Sequence, residues 1–323
     1  MKINKKTYIC NFCKSEGELG EDFDEDFKNH QGFWCCHCEA YTFYDKMPKY
    51  QNTLILENKA SSDTPQIKKI TNINKRLSPL RYPGGKSKLI DLMYPLLNKD
   101  KLDTFVEVFA GGASFGLALL EAKIINKLIL NDADKNVYAL FETICGNGNM
   151  LIDRVKNYDP SKSDYFQFRE NLNRQIDELD RAFYYLIINR CAYSGIFMSN
   201  PLSDIKSRYN KKALCERIRR ISKMADNITI FNEDALAIVN EYYWHPETTL
   251  FIDPPYYKKG HMLYPLSYNN EAHSDLADSL HSLVKEFPEC ADILVTYDNT
   301  SEIYNMYDDE LFHFKEVNRR YSI

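Results

Sequence analysis

No apolar run in this 323-residue chain reaches the roughly 18 residues that a membrane-spanning helix needs, so no membrane span is expected. The basic start "MKINKKTYIC" has no long apolar stretch behind it, which argues against a secretory signal and for the cytoplasm. In that compartment nine cysteines read as metal ligands or buried thiols rather than disulfides. An excess of positive charge is also missing. The net charge is −5, which is unlike a uniformly basic coat for nucleic acid. There is no internal repeat. The phosphate-loop spacing G-x-x-x-x-G-K-[ST] is absent because only Gly84 and Gly85 precede Lys86, which disfavours a Walker-type NTPase.

What is present is unevenly placed. Residues 206–223, "KSRYNKKALCERIRRISK", carry eight basic residues against one acidic, Glu216. Residues 16–26, "EGELGEDFDED", carry seven acidic residues and no basic one. Either run can be a solvated face, but their segregation leaves room for a local polyanion site. Two C-x-x-C pairs, Cys10/Cys13 and Cys35/Cys38, have the spacing of a four-thiolate structural zinc site, with Cys36 and His37 as competing ligands. A zinc-ribbon-like domain is therefore expected over 1–47, its folding energy supplied by the metal. Its acidic insert suits a protein partner better than DNA.

A mostly polar linker is expected over 48–77, with a break at Asp63-Thr64-Pro65. From Ser78 onward, strand-like runs at 104–109, 127–132, 228–231, 249–253 and 291–298 alternate with helical patterns, which predicts an α/β fold with a mainly parallel, doubly wound sheet. Residues 146–224 form a polar, helix-rich insertion containing the basic run.

"FVEVFAGGASFG" places glycines at 111, 112 and 116 between a strand and a helix, where backbone can approach a ligand at a helix N-terminus. Asp132 follows Gly111 by twenty-one residues, at the end of the next strand, where a carboxylate meets ribose hydroxyls. The pattern is not G-x-G-x-x-G; it points to an adenosine-bearing cofactor without separating a nicotinamide from S-adenosylmethionine. "FIDPPYY", 251–257, ends an apolar strand in an aspartate and two prolines, each fixing φ and removing a backbone donor.

Taken in order, "RYPGGK", "FVEVFAGGAS", "LILND", an insertion with "NRCAYSG", and "FIDPPYY" resemble the Dam-type DNA adenine-N6 methyltransferases over about residues 78–323; "ILVTYDN" resembles a later strand of that family. The resemblance implies a Rossmann-like S-adenosylmethionine-dependent methyltransferase sheet, built from 78–145 and 225–323, with 146–224 as the helical DNA-recognition insertion. It implies that Tyr82, Lys86, Phe109, Gly111, Asp132 and Asp234 bind S-adenosylmethionine. Asp253, Pro254 and Tyr256 would be catalytic, with aspartate favouring adenine over cytosine. Asn189, Arg190, Tyr193, Ser194, Lys206, Arg208, Lys211 and Lys212 would face double-stranded DNA. Three features depart from the family: Ala113 where a third glycine is common, the N-terminal cysteine pairs, and an end at "NRRYSI" where members usually continue through a further strand. The last implies a sheet one strand short, with a C-terminal edge open to a protein partner. A non-catalytic binding protein on this scaffold and an enzyme acting on RNA or a protein amide are the competing readings.

Overall fold

The computed structural model describes residues 8–9, 16–17, 23–25, 32–35, 41–43, 49–57, 73–81, 85–172, 174, 176–197, 199–206, 209–257, 268–307 and 310–321. The chain divides into two compact units, residues 1–52 with 317–323, and residues 53–316. In the first unit, β1 (Tyr8–Ile9) pairs antiparallel with β2 (Glu16–Gly17). Strands β3 (Phe23–Glu25), β4 (Gly32–Cys35) and β5 (Tyr41–Phe43) form a three-stranded antiparallel sheet in that order.

The larger sheet has seven strands. They are β6 (Lys49–Glu57), β7 (Thr104–Glu107), β8 (Lys127–Asn131), β9 (Ile228–Phe231), β10 (Thr248–Ile252), β11 (Asp292–Asp298) and β12 (His313–Tyr321). Their spatial order is β12-β6-β11-β10-β7-β8-β9. The five strands from β11 to β9 run parallel, and β6 is antiparallel to β11. A sheet buried on both faces needs continuous apolar strands, and all five residues of β10 are buried.

Two expectations change here. The stretch expected as linker contains β6, whose Leu54, Ile55 and Leu56 are fully buried against β11. Only the three residues "LIL" form an apolar run there, and their polar flanks hid the strand. The sheet is also not a strand short, because β6 pairs directly with β11 and β12 lies next to it.

Helices α1 (Ile90–Met93) and α2 (Ser114–Glu121) flank β7, and α3 (Lys135–Asn157) follows β8. Helix α3 runs through the expected 145/146 boundary, and its backbone leaves helical geometry at Asn147, between two glycines that weaken a helix interior. Helices α4 (Lys162–Asn171), α5 (Glu178–Cys191) and α6 (Lys211–Ser222) come next. Helix α7 (Ala235–Tyr242) precedes β10, while α8 (Asn270–Glu286) and α9 (Ser301–Tyr307) flank β11. In α6 the buried Leu214, Cys215, Ile218 and Ile221 recur at helical spacing, so its charges fan out over the remaining faces.

Candidate active site

The carboxyl ends of the parallel strands converge on one cavity of about 310 Å³. In open α/β sheets ligands bind at this edge. Its wall comes from the β7 end (Glu107, Phe109), the turn Gly111–Ala113, Asp132 and Asp134 after β8, Asp234 before α7, and Asp253 after β10.

The turn into α2 explains two small residues. A Cβ on Gly116 would lie 2.3 Å from Leu128 Cδ1, so only glycine lets the helix pack this closely on β8. Ala113 caps the helix at φ 49°, a left-handed conformation that costs a non-glycine residue about 1–2 kcal/mol. That strain sits where the family commonly has glycine.

Asp253 is held from two sides. Lys86 Nζ, only 4% exposed, donates to both carboxylate oxygens at 2.6 and 2.7 Å, and Thr296 Oγ1 donates to Oδ1 at 2.6 Å. The Lys86 ammonium also lies 5.5 Å from the centroid of the buried Tyr256 ring. The two prolines offer no N–H, and two residues after Pro255 the Tyr257 N–H donates to Asp298 Oδ1 at 2.8 Å. The end of β11 thus braces the end of β10. Thr296 and Asp298 were missed by sequence reasoning although "ILVTYDN" was noticed: their role depends on register across the sheet.

On the other side of the cavity Asp132 accepts the N–H groups of Gly111 (2.8 Å) and Asp134 (2.9 Å). Burial, with the Asp134 charge next, pushes its pKa up to about 7. Asp134 caps α3 through its Oδ1, which accepts from Asn136, while its buried Oδ2 has no donor. Asn131 was also missed. Its amide donates to the carbonyls of Val108 and Glu233 and accepts the Glu233 N–H, which sets the turn carrying Asp234. Asp234 lines the cavity and caps α7 through the Leu236 N–H. Phe109 meets Tyr268 edge-on at 5.4 Å, a wall residue that nothing in the local sequence signals.

Glu107, on the same wall, is buried. Burial drives its pKa to about 8, opposed by the N–H of Gly116 and raised further by the Asp253 charge. Glu107 and Asp132 therefore both hold a proton in the folded chain at pH values where the unfolded chain has lost it. Their contribution to stability is complete below the unfolded carboxylate pKa of about 4 and is lost as pH rises through about 7 and 8. Urea denaturation from pH 5 to 9 is expected to show falling stability, with Glu107→Gln flattening the upper part of the decline. An unchanged slope in that variant would remove Glu107 from the account.

The residues expected to face DNA divide. Asn189 is only 3% exposed and Arg190 is buried. Both polar ends of the Asn189 amide bond the backbone of Arg81. Tyr193 is 46% exposed, and Lys206 and Lys212 are exposed. Lys211 pairs with Asp159 at 3.0 Å. Arg217 donates to the Ser78 carbonyl, Arg219 pairs with Glu216 and Arg220 with Glu121. Much of the basic run is thus engaged within the fold. Tyr82, Arg208 and the Ser194 side chain lie outside the described residues, as do Cys10, Cys13, Cys38 and the side chain of Cys35. Among the described residues no group of three or more His, Cys, Asp or Glu is placed to hold a metal. No helix among them is long and apolar enough to cross a membrane.

The chain is similar to modification methylase StsI of Streptococcus sanguinis (26% identity, covering 55% of this chain and 28% of that protein). It is similar to type II methyltransferase M.FokI of Planomicrobium okeanokoites (27%, covering 55% and 29%). It is also similar to DNA adenine methylase of Escherichia coli K12 (24%, covering 55% and 64%). The matched region thus spans less than two thirds of each of these relatives. The profile of the D12 class N6 adenine-specific DNA methyltransferases matches residues 82–323, which include every described wall of the cavity. By that match, over about three quarters of its length, the chain belongs to the D12 class of N6 adenine-specific DNA methyltransferases.

Proposed function

We propose that this chain is a cytoplasmic, site-specific enzyme that methylates N6 of an adenine flipped out of duplex DNA, in a restriction-modification, phage or genome-defence setting. The observation that carries the reading is Asp253, held at the mouth of a carboxylate-lined cavity and followed by two prolines and the Tyr256 ring.

The cavity suits S-adenosylmethionine by its donor set. Asp132, Asp134 and Asp234 offer acceptors to hydroxyl and amino groups, and the donorless Asp134 Oδ2 is a buried acceptor that a ligand donor would satisfy. Phe109 and Tyr268 supply an apolar wall for an adenine ring. When bound, the cofactor supplies a methyl group on a sulfonium sulfur. The chain's own part is positioning and charge. Asp253 and the Pro254 carbonyl accept the two N6 hydrogens, which favours a tetrahedral nitrogen whose lone pair is no longer delocalised into the ring. Once the methyl group is transferred, the surplus N6 proton would pass to the Asp253 carboxylate and on to solvent. Lys86 and Thr296 keep the carboxylate oriented, and Tyr256 stacks on the flipped base. Tyr193, Lys206 and Lys212 serve as the described DNA contacts.

Incubation with labelled S-adenosylmethionine and unmethylated duplex DNA is expected to yield N6-methyladenine, and Asp253→Ala to yield none. Cofactor binding without label transfer would favour a second reading, a non-catalytic DNA- or partner-binding protein. The specific observation on its side is that Lys86 and Thr296 already occupy the Asp253 oxygens.

A structural Zn2+ held by Cys10, Cys13, Cys35 and Cys38 is part of the same proposal. The first pair falls in sequence between the paired strands β1 and β2; the second spans the end of β4 and the start of the connection to β5. The acidic stretch 16–26 is then a surface for a basic protein partner. Elemental analysis of the full chain is expected to give one zinc per protein; none, with four free thiols, would refute it.

A further inference from the structure

The segment leading to Lys86 is held at three points. The Ser78 carbonyl accepts from Arg217 of α6 at 2.9 Å. The Arg81 N–H donates to Asn189 Oδ1 at 2.7 Å, and the Arg81 carbonyl accepts from Asn189 Nδ2 at 2.9 Å. Lys86 itself grips Asp253. Gly195 closes on the same carbonyl: its φ is +74°, and a Cβ there would lie 2.1 Å from the Arg81 oxygen. Asn189 Nδ2 also reaches the Gly195 carbonyl at 3.3 Å, so the two ends of "NRCAYSG" clasp one residue. Only four residues separate Arg81 from Lys86. A chain that short spans at most about 17 Å, so Arg81 and Lys86 are closely tethered.

We propose that Asn189 is a positioning residue: by clasping the Arg81 backbone from the end of α5 it sets Lys86 on Asp253, and so ties the recognition insertion to the cofactor end of the site. The proposal rests on the methyl-transfer reading and gives Asn189 a task other than touching DNA. Both Nδ2 hydrogens are donated to backbone carbonyls and Oδ1 already accepts one N–H, so the amide has no donor left for a base edge.

The test uses the full chain, comparing wild type with Asn189→Ala, Asn189→Asp and Gly195→Ala. Losing the clasp is expected to weaken S-adenosylmethionine binding, measured by calorimetry without DNA, by about tenfold, the equivalent of one hydrogen bond. Duplex affinity without cofactor, by fluorescence anisotropy, is expected to stay within about twofold, because no phosphate or base contact is removed. Asn189→Asp, which keeps the acceptor and loses the donor, should fall between. Gly195→Ala should reproduce the alanine pattern by pushing on Arg81 from the other side. Unchanged cofactor affinity in folded variants overturns the proposal, as does a loss confined to DNA affinity. If the wild type binds no cofactor, the methyl-transfer reading fails, and backbone hydrogen exchange still decides the clasp. Exchange over residues 78–90 should quicken about tenfold in Asn189→Ala while that of β10 holds. Equal exchange in both proteins refutes it.

Discussion

Replacing Asp253 by asparagine is expected to lower kcat for adenine methylation by about 10³-fold or more, in line with removal of a preorganised electrostatic group. The substitution keeps the shape of the side chain and one acceptor, so it isolates charge. In the native site that charge is held by the Lys86 ammonium and the Thr296 hydroxyl, and on the proposed reading it would stabilise the positive charge that grows on N6. Asparagine would also turn an NH2 group toward Lys86, donor against donor. Cofactor affinity should change by less than about tenfold, since Asp132, Asp134 and Asp234 are untouched. Rapid-quench kinetics separates chemistry from product release. A single-turnover rate near that of the wild type would show that Asp253 is not the catalytic carboxylate.

Lys86→Met is expected to destabilise the fold by about 2–4 kcal/mol as well as to impair turnover. Removing one member of a buried ion pair costs about 3–5 kcal/mol because the other charge is left uncompensated. Asp253 keeps Thr296 and 20% side-chain exposure, which places the expectation at the lower end. The double variant Lys86→Met/Asp253→Asn should recover a substantial part of the loss, leaving a coupling of at least about 1 kcal/mol in a double-mutant cycle. Urea midpoints of the four proteins supply the numbers. Additive losses would mean that the pair is incidental to stability, and Lys86 would then be read as a cofactor contact alone.

These two variants and Asn189→Ala act along one line, from α5 through Arg81 and Lys86 to Asp253. They differ in what they spare. Asp253→Asn spares binding, Asn189→Ala spares DNA affinity, and Lys86→Met spares neither the site nor the fold. A common loss of every property in all three would point to global unfolding.

The sequence by itself determined the parallel α/β sheet, the carboxylate-ended strands and the cavity's main residues. Gly111 and Asp132 were legible because strand, tight turn and helix follow each other locally, and each such turn displays its last residues at the sheet's carboxyl edge; Phe109, Asp234 and the role of Asp253 entered through the family resemblance, and all five line the cavity. Only the tertiary structure decided what those residues do to one another. Thr296 and Asp298 brace Asp253 and Tyr257 because β11 lies beside β10 in one register, a fact about two segments some forty residues apart. Strand β6 escaped notice because three apolar residues in polar company carry no periodic signal, yet pairing with β11 buries all three. Asn189 and Lys211 were placed at DNA by the resemblance and the basic run, neither of which shows what backbone lies beside them. Whether a polar side chain faces water or spends its bonds inside depends on which backbone lies opposite, and that backbone, at Arg81 and Lys156, is supplied by distant chain.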